Sequence, residues 1–364
     1  MKYRLLIISL LLVLSFYFVA CSPSINRNEK GLEISDSSIF NTPSIEFLSQ
    51  EKGRVAILDE SLELYFSNLQ EKEIYAFTGQ KPPTNNIDSA RIFAKEKFSS
   101  AVITFSNDEK ACITYVIDEI SQVLNNHDLH IVANHPWKFI KTEDWLCGGF
   151  AYTRGDYIIL SQRHLNALTE KWSEQMTETD QKELISSLGA LLVHEQFHCL
   201  QRTHKKMFDK LYELWEFQKV NVQPEPFITI NQLSNPDAPI PEWAFYKEGN
   251  YYWIRTLIKE SATEPKMGKD FVDMVFLLGK NKDKFIVEKD INGKLITYDL
   301  SGFVDYQNKF PVKRGLDHPN EISAYMFSDY FISLFNKSIP FSDVEKEAKY
   351  NSEVFKSWVK KYLI

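Results

Sequence analysis

The residues His194-Glu195-Gln196-Phe197-His198 carry the clearest chemistry in the chain. Helical residues four apart project from one face, so His194 and His198 can offer two imidazole nitrogens to a single metal ion. Glu195 follows the first histidine by one residue, about 100° round the helix. It can stand over an open coordination position and take a proton from water held there. Zinc suits such a set, because it accepts nitrogen and oxygen ligands, has no redox chemistry and lowers the pKa of bound water to about 7. The expectation is one Zn2+ per chain, ligated by His194 and His198, with Glu195 as general base. A solvated His–Glu pair on a helix surface would need no metal. Here Leu184, Leu188, Leu191, Leu192, Val193, Phe197 and Leu200 make the helix apolar on most sides. Burying three ionisable groups on adjacent turns is costly unless something coordinates them.

The elements that must position this helix can be read outwards from it. Asp180 and Glu183 have the spacing of a capping box at its start, and no proline intervenes before Pro224. Upstream, 57–78 and 108–124 carry helical periodicity, whereas 131–133, 137–140 and 157–161 read as strands. Arg154-Gly155 marks the turn before the last of these. Downstream, a loop rich in proline and asparagine (Pro224 to Pro239) precedes a helix opened by Pro241. A helix over 269–278, a hairpin over 285–300 turned by Asn292-Gly293, and helices over 319–335 and 342–362 follow.

Composition limits the partners. A net charge of −7, with no basic stripe interleaved with aromatics, argues against nucleic acid. Hydrophobic content of 44 % with 14 % aromatics is ample for a sizeable core. Lys2 and Arg4 precede an apolar run from Leu5 to Ala20 that ends at Cys21. This stretch is similar to the signal peptide and lipobox of bacterial lipoproteins. The resemblance implies cleavage before Cys21, lipidation of Cys21 and attachment to a membrane of the cell envelope. Because no aspartate follows Cys21, it points to the outer membrane or cell surface. Residues 21–50 then read as a flexible tether. Cys112, Cys147 and Cys199 remain, which is no disulfide framework, and Cys199 reads as a core residue.

Strands followed by an H-E-x-x-H helix resemble the upper lobe of zincin metallopeptidases. In that family an edge strand runs along the cleft and pairs with the backbone of an extended substrate; here 157–161 could be that strand or an ordinary one. A catalytic zinc site has three protein ligands and an open position. Gln201 stands where the metzincin extension needs glycine, so the resemblance is to gluzincins, whose third ligand is a glutamate from a second helix. Trp243, Glu248, Gly249 and Tyr252 are similar to the family's W-x-x-E-G-x-A-x-Y pattern, which makes Glu248 the expected ligand. Glu321, in His318-Pro319-Asn320-Glu321, is the rival, although a helix start accounts for an acid there without metal. Tyr251, Tyr252, Tyr325 and His318 are candidates to stabilise an oxyanion.

The resemblance implies an α+β, zincin-like, two-lobed metallopeptidase: a small mixed sheet with the active-site helix, then a mostly helical lobe. The organisation expected is 1–20 signal, 21–50 tether, 51–175 N-terminal α/β lobe with the edge strand, and 176–364 active-site helix and C-terminal lobe. The implied activity is zinc-dependent hydrolysis of a peptide or protein. A non-catalytic surface lipoprotein that binds protein or glycan, and a hydrolase of other amides or esters, are the alternatives.

Overall fold

The computed structural model describes residues 43–170, 172–173 and 175–364, all within one compact unit. The signal segment and Cys21 lie outside the described residues, as does most of the tether. The tether's end is folded. Strand β1 (Ile45–Phe47) pairs in parallel with β3 (Trp137–Thr142), so residues expected at the end of the tether belong to the sheet.

The N-terminal part alternates capped helices with short strands. Helix α1 (Gln50–Ala56) starts at a Ser49 cap, α2 (Glu71–Thr78) ends at Gly79, and α3 (Ile87–Ser100) starts at an Asn86 cap. Strand β2 (Val102–Ile103) leads into α4 (Asn107–Asn125), opened by a Ser106/Glu109 capping box. After α5 (His130–Ala133) and β3 come β4 (Tyr152–Arg154), β5 (Tyr157–Ser161) and α6 (Gln162–Thr169). The sheet order is β1-β3-β5-β4, with β2 also on β3. The 157–161 strand is thus interior; β4, antiparallel to it, forms one edge and β1 the other. Residues 131–133, expected as strand, are helical, and 57–78 is helical only from Glu71, apart from one short turn at Phe66–Asn68.

Helix α7 (Glu178–Leu184) is capped by Thr177 with Asp180, three residues before the expected box. It passes through one π-type turn, Ile185–Gly189, into α8 (Ala190–Thr203), which carries the motif. The inserted residue of a π turn rotates everything after it relative to the helix before it, and such turns favour functional sites. Gln196 then donates from Nε2 to the carbonyls of His135 and Pro136 at 3.0 and 3.2 Å, which ties α8 to the start of β3.

The C-terminal part is not mostly helical. After α9 (Lys205–Leu214), a second sheet contains β6 (Phe217–Lys219), β7 (Trp243–Lys247), β8 (Asn250–Ile258), β9 (Phe271–Asn281), β10 (Lys284–Val287) and β11 (Thr297–Asp299). Its order is β10-β9-β8-β7-β6, with β11 also on β9, and α10 (Pro226–Asn231) lies between β6 and β7 in sequence. Alternation explains the strands: Trp253, Phe276 and Leu278 enter one apolar cluster, and Ile254 and Val275 another. The chain closes with α11 (Val304–Gln307), α12 (Pro319–Phe335) and α13 (Lys346–Tyr362). Helices α4, α8, α12 and α13 share the largest core, where Phe197 stacks on Phe327 at 4.4 Å.

Candidate metal centre

Helix α12 fixes the partner of the two histidines. His318 caps it, its Nδ1 accepting from the Asn320 N–H at 3.2 Å, and Pro319 takes the first helical position. Ser328 donates to the Ala190 carbonyl at 2.8 Å and, with the Phe197–Phe327 stack, clamps α12 along α8. Glu321, in the first turn of α12, therefore faces His194 and His198. Because the His318 ring does the capping, the Glu321 carboxylate is free to point at the imidazoles.

The three side chains converge. His194 Nε2 and His198 Nε2 are 3.1 Å apart, Glu321 Oε2 is 3.5 Å from the first, and Oε1 is 3.4 Å from the second. Ligand atoms about 2.05 Å from a tetrahedral metal lie roughly 3.3 Å from one another, so the set has the spacing of zinc ligands. All three residues are buried and could hold a metal ion.

The surroundings orient the three side chains. Gln201 Nε2 donates to the Asn320 carbonyl and to Ser323 Oγ, both at 2.9 Å. Its Oε1 must then accept from His198 Nδ1, at 2.8 Å, which puts a proton on Nδ1 and makes Nε2, turned to Glu321, the nitrogen available to a metal. Asn235 Nδ2 donates to Glu321 Oε1 at 2.7 Å. Tyr325 lies against the His194 ring at 4.2 Å and under the Arg314 guanidinium at 4.4 Å. Gly315, at φ 62°, leaves room for this: a Cβ there would stand 2.5 Å from the Tyr325 ring and 2.9 Å from Glu321 Cβ.

Electrostatics follow from burial and charge. Burial lowers His198, but the Glu321 and Asp237 carboxylates outweigh it and raise the imidazole to about 9. Burial keeps His194 below the usual range. Glu321 is held well below the carboxylate range: burial opposes this, but the His198 and His194 imidazoles dominate. The trio by itself thus keeps a proton on His198, and a divalent cation among the same atoms would displace it. Glu195 is pushed well above the carboxylate range, first by burial and then by the Asp237 charge, and its Oε2 has no hydrogen-bond partner among the described residues. A buried carboxyl with an unpartnered oxygen is costly to the fold.

Glu248 is not part of this group. The segment 241–253 forms the β7–β8 hairpin, and Glu248-Gly249 is its two-residue turn at φ 52° and 86°, exposed. Such turns need positive φ at both central residues, which explains the Glu-Gly pair without metal. Tyr251 and Tyr252 belong to β8, whereas Tyr325 and His318 stand at the centre. Sequence reasoning missed Gln201 and Asn235, together with Arg202, one turn beyond His198. Arg202 pairs with Glu63, Thr153 Oγ1 and the Pro236 carbonyl, the last at 2.8 Å. Only the burial of such a helix hinted that its polar residues needed partners. Cys112, Cys147 and Cys199 are buried free thiols.

Comparison of the chain with protein-family profiles, with curated proteins and with solved structures gives no match.

Proposed function

We propose that this chain is a zinc-dependent metallopeptidase, with His194, His198 and Glu321 as ligands and Glu195 as general base. The observation that supports it is the convergence of an H-E-x-x-H pair with a carboxylate from a second helix, beside a buried Glu195 that serves no hydrogen bond through Oε2. Zinc, when bound by this set, supplies Lewis acidity for a carbonyl and makes water acidic near neutral pH. Glu195 takes the proton of the attacking water and returns it to the leaving amine. Burial and Asp237 raise its proton affinity; a bound cation would lower it and leave the carboxylate free to act as base. Gln201 holds His198 through Nδ1, and Tyr325 and His318 are the candidates to stabilise an oxyanion. The lipobox-like start adds the proposal that the enzyme is tethered to the cell envelope through Cys21.

Glu195→Gln tests the reading, because it keeps the shape and the ligands but cannot take a proton. Peptidase activity should fall roughly 10²-fold or more with zinc content near one per chain. Zinc at full occupancy with no wild-type activity on a broad peptide library would favour the non-catalytic binding protein instead.

A further inference from the structure

A peptide cannot reach Glu195 in this conformation. Glu195 is 3 % exposed, His194 7 %, His198 0 % and Glu321 6 %. The neighbouring cavity, lined by Gln201, Arg202, Pro239, Ile240 and His318 among others, measures about 50 Å³, which is room for water rather than an amino-acid residue.

Tyr325 covers the His194 ring, and the loop that covers Glu321 on the β4 side is Leu233–Ile240. It starts pinned, with the Ser234 N–H on Glu73 Oε1 at 2.5 Å and the Leu233 N–H on the Thr256 carbonyl at 3.0 Å. Asn235 then reaches Glu321 while its Oδ1 accepts from the Asp237 N–H at 2.9 Å. Asp237 ends against β4, where its Oδ1 accepts from the Thr153 N–H at 2.7 Å and from Thr153 Oγ1 at 2.5 Å. The stretch therefore crosses from the metal ligand to the sheet edge. Thr153 is the β4 residue whose backbone N–H and C=O both turn away from β5: Asp237 takes the first and Arg202 Nη2 approaches the second at 3.5 Å. An added strand would use that same pair of groups. Leu233–Ile240 is a proline-containing loop outside every helix and sheet ladder, held by these polar contacts and by the burial of Leu233, Ser234, Asp237 and Ala238.

We infer that Leu233–Ile240 is a strap that closes the metal centre, and that an extended peptide gains Glu195 only when the strap lifts and yields Thr153 to the peptide backbone. The inference rests on the metallopeptidase reading for the nature of the substrate, but the closure itself does not. Asp237 and Thr153 form the latch, and Arg202, through the Pro236 carbonyl, ties it to the motif helix.

Asp237→Ala, with Asp237→Asn as the milder variant should the first not fold, tests the strap in the full chain. Three readouts are compared with wild type at matched folded content by circular dichroism: the rate at which a chelator strips zinc, protease nicking within 233–240, and hydrogen exchange of the same segment. Stripping should quicken at least about tenfold, and nicking and exchange should rise there and not in α12. Unchanged stripping, nicking and exchange in a folded variant would overturn the strap. If wild type binds no zinc, the metallopeptidase reading fails, and nicking and exchange still decide the strap.

Discussion

Removing Glu321 and Glu248 in turn measures which carboxylate completes the site. Four-ligand structural zinc sites bind with about 10–16 kcal/mol, so one ligand is worth about 2.5–4 kcal/mol. Glu321→Ala should then weaken zinc binding roughly 10²- to 10³-fold. Asn235 would lose its acceptor at the same time, and the two imidazoles would remain 3.1 Å apart with no anion between them and the solvent. Glu321→Gln, which keeps the volume and one oxygen but loses the charge, should fall between the two. Glu248→Ala alters an exposed turn residue and should leave affinity within a factor of about two and stability within about 0.5 kcal/mol. The assay is competitive zinc titration against a chromophoric chelator, with stability followed by urea unfolding. Wild-type affinity in Glu321→Ala, or its loss in Glu248→Ala, would refute the geometry as the source of the third ligand.

Two more outcomes follow. Lys141 Nζ meets both Glu109 oxygens at 2.8 Å in a buried pair joining β3 to α4, and although burial raises the Glu109 carboxyl, the Lys141 ammonium brings it below the usual range. That stability is present above the unfolded value near 4.3 and is lost as pH falls through the lower folded value. Urea unfolding should show the loss between pH 5 and 3 in wild type and a smaller one in Lys141→Met; equal slopes would sink the assignment. For the anchor, fatty-acid analogue label on the expressed protein should vanish in Cys21→Ser, and label that persists would dismiss the lipobox reading.

The legible parts of this chain are those whose signal is local. The motif helix announced itself by periodicity and by the absence of proline. Helix α12 was bounded by His318-Pro319 at one end and by its last apolar residues at the other, and the structure keeps both limits. The strand over 157–161 was readable from β-branched residues, but its place inside the sheet was not, since pairing order depends on distant partners. The segment 241–253 failed for a definite reason. Its run of tryptophan, tyrosine and phenylalanine suits a strand as well as a buried helix. The Glu-Gly pair, read as part of a ligand pattern, is a turn signal. The same ambiguity turned 269–278 from expected helix into β9, a nearly continuous apolar run that periodicity alone does not decide.

The place of Glu321 opposite the two imidazoles was hidden by a local explanation that was correct as far as it went. An acid in the first turn of a helix is favoured by the macrodipole whether or not a metal is near. In α12 that preference is put to use, because His318 does the capping and leaves the carboxylate unclaimed. The His198 and His194 imidazoles keep Glu321 ionised against burial, and the dipole and the Asn235 amide favour the same state. A glutamate deeper in the helix would have neither aid, and one in an exposed turn, such as Glu248, would have no need of them. The helix start is thus a reason to expect a ligand wherever a second element brings imidazoles opposite it. Here α8 does so, held in register by the Ser328–Ala190 bond and the Phe197–Phe327 stack.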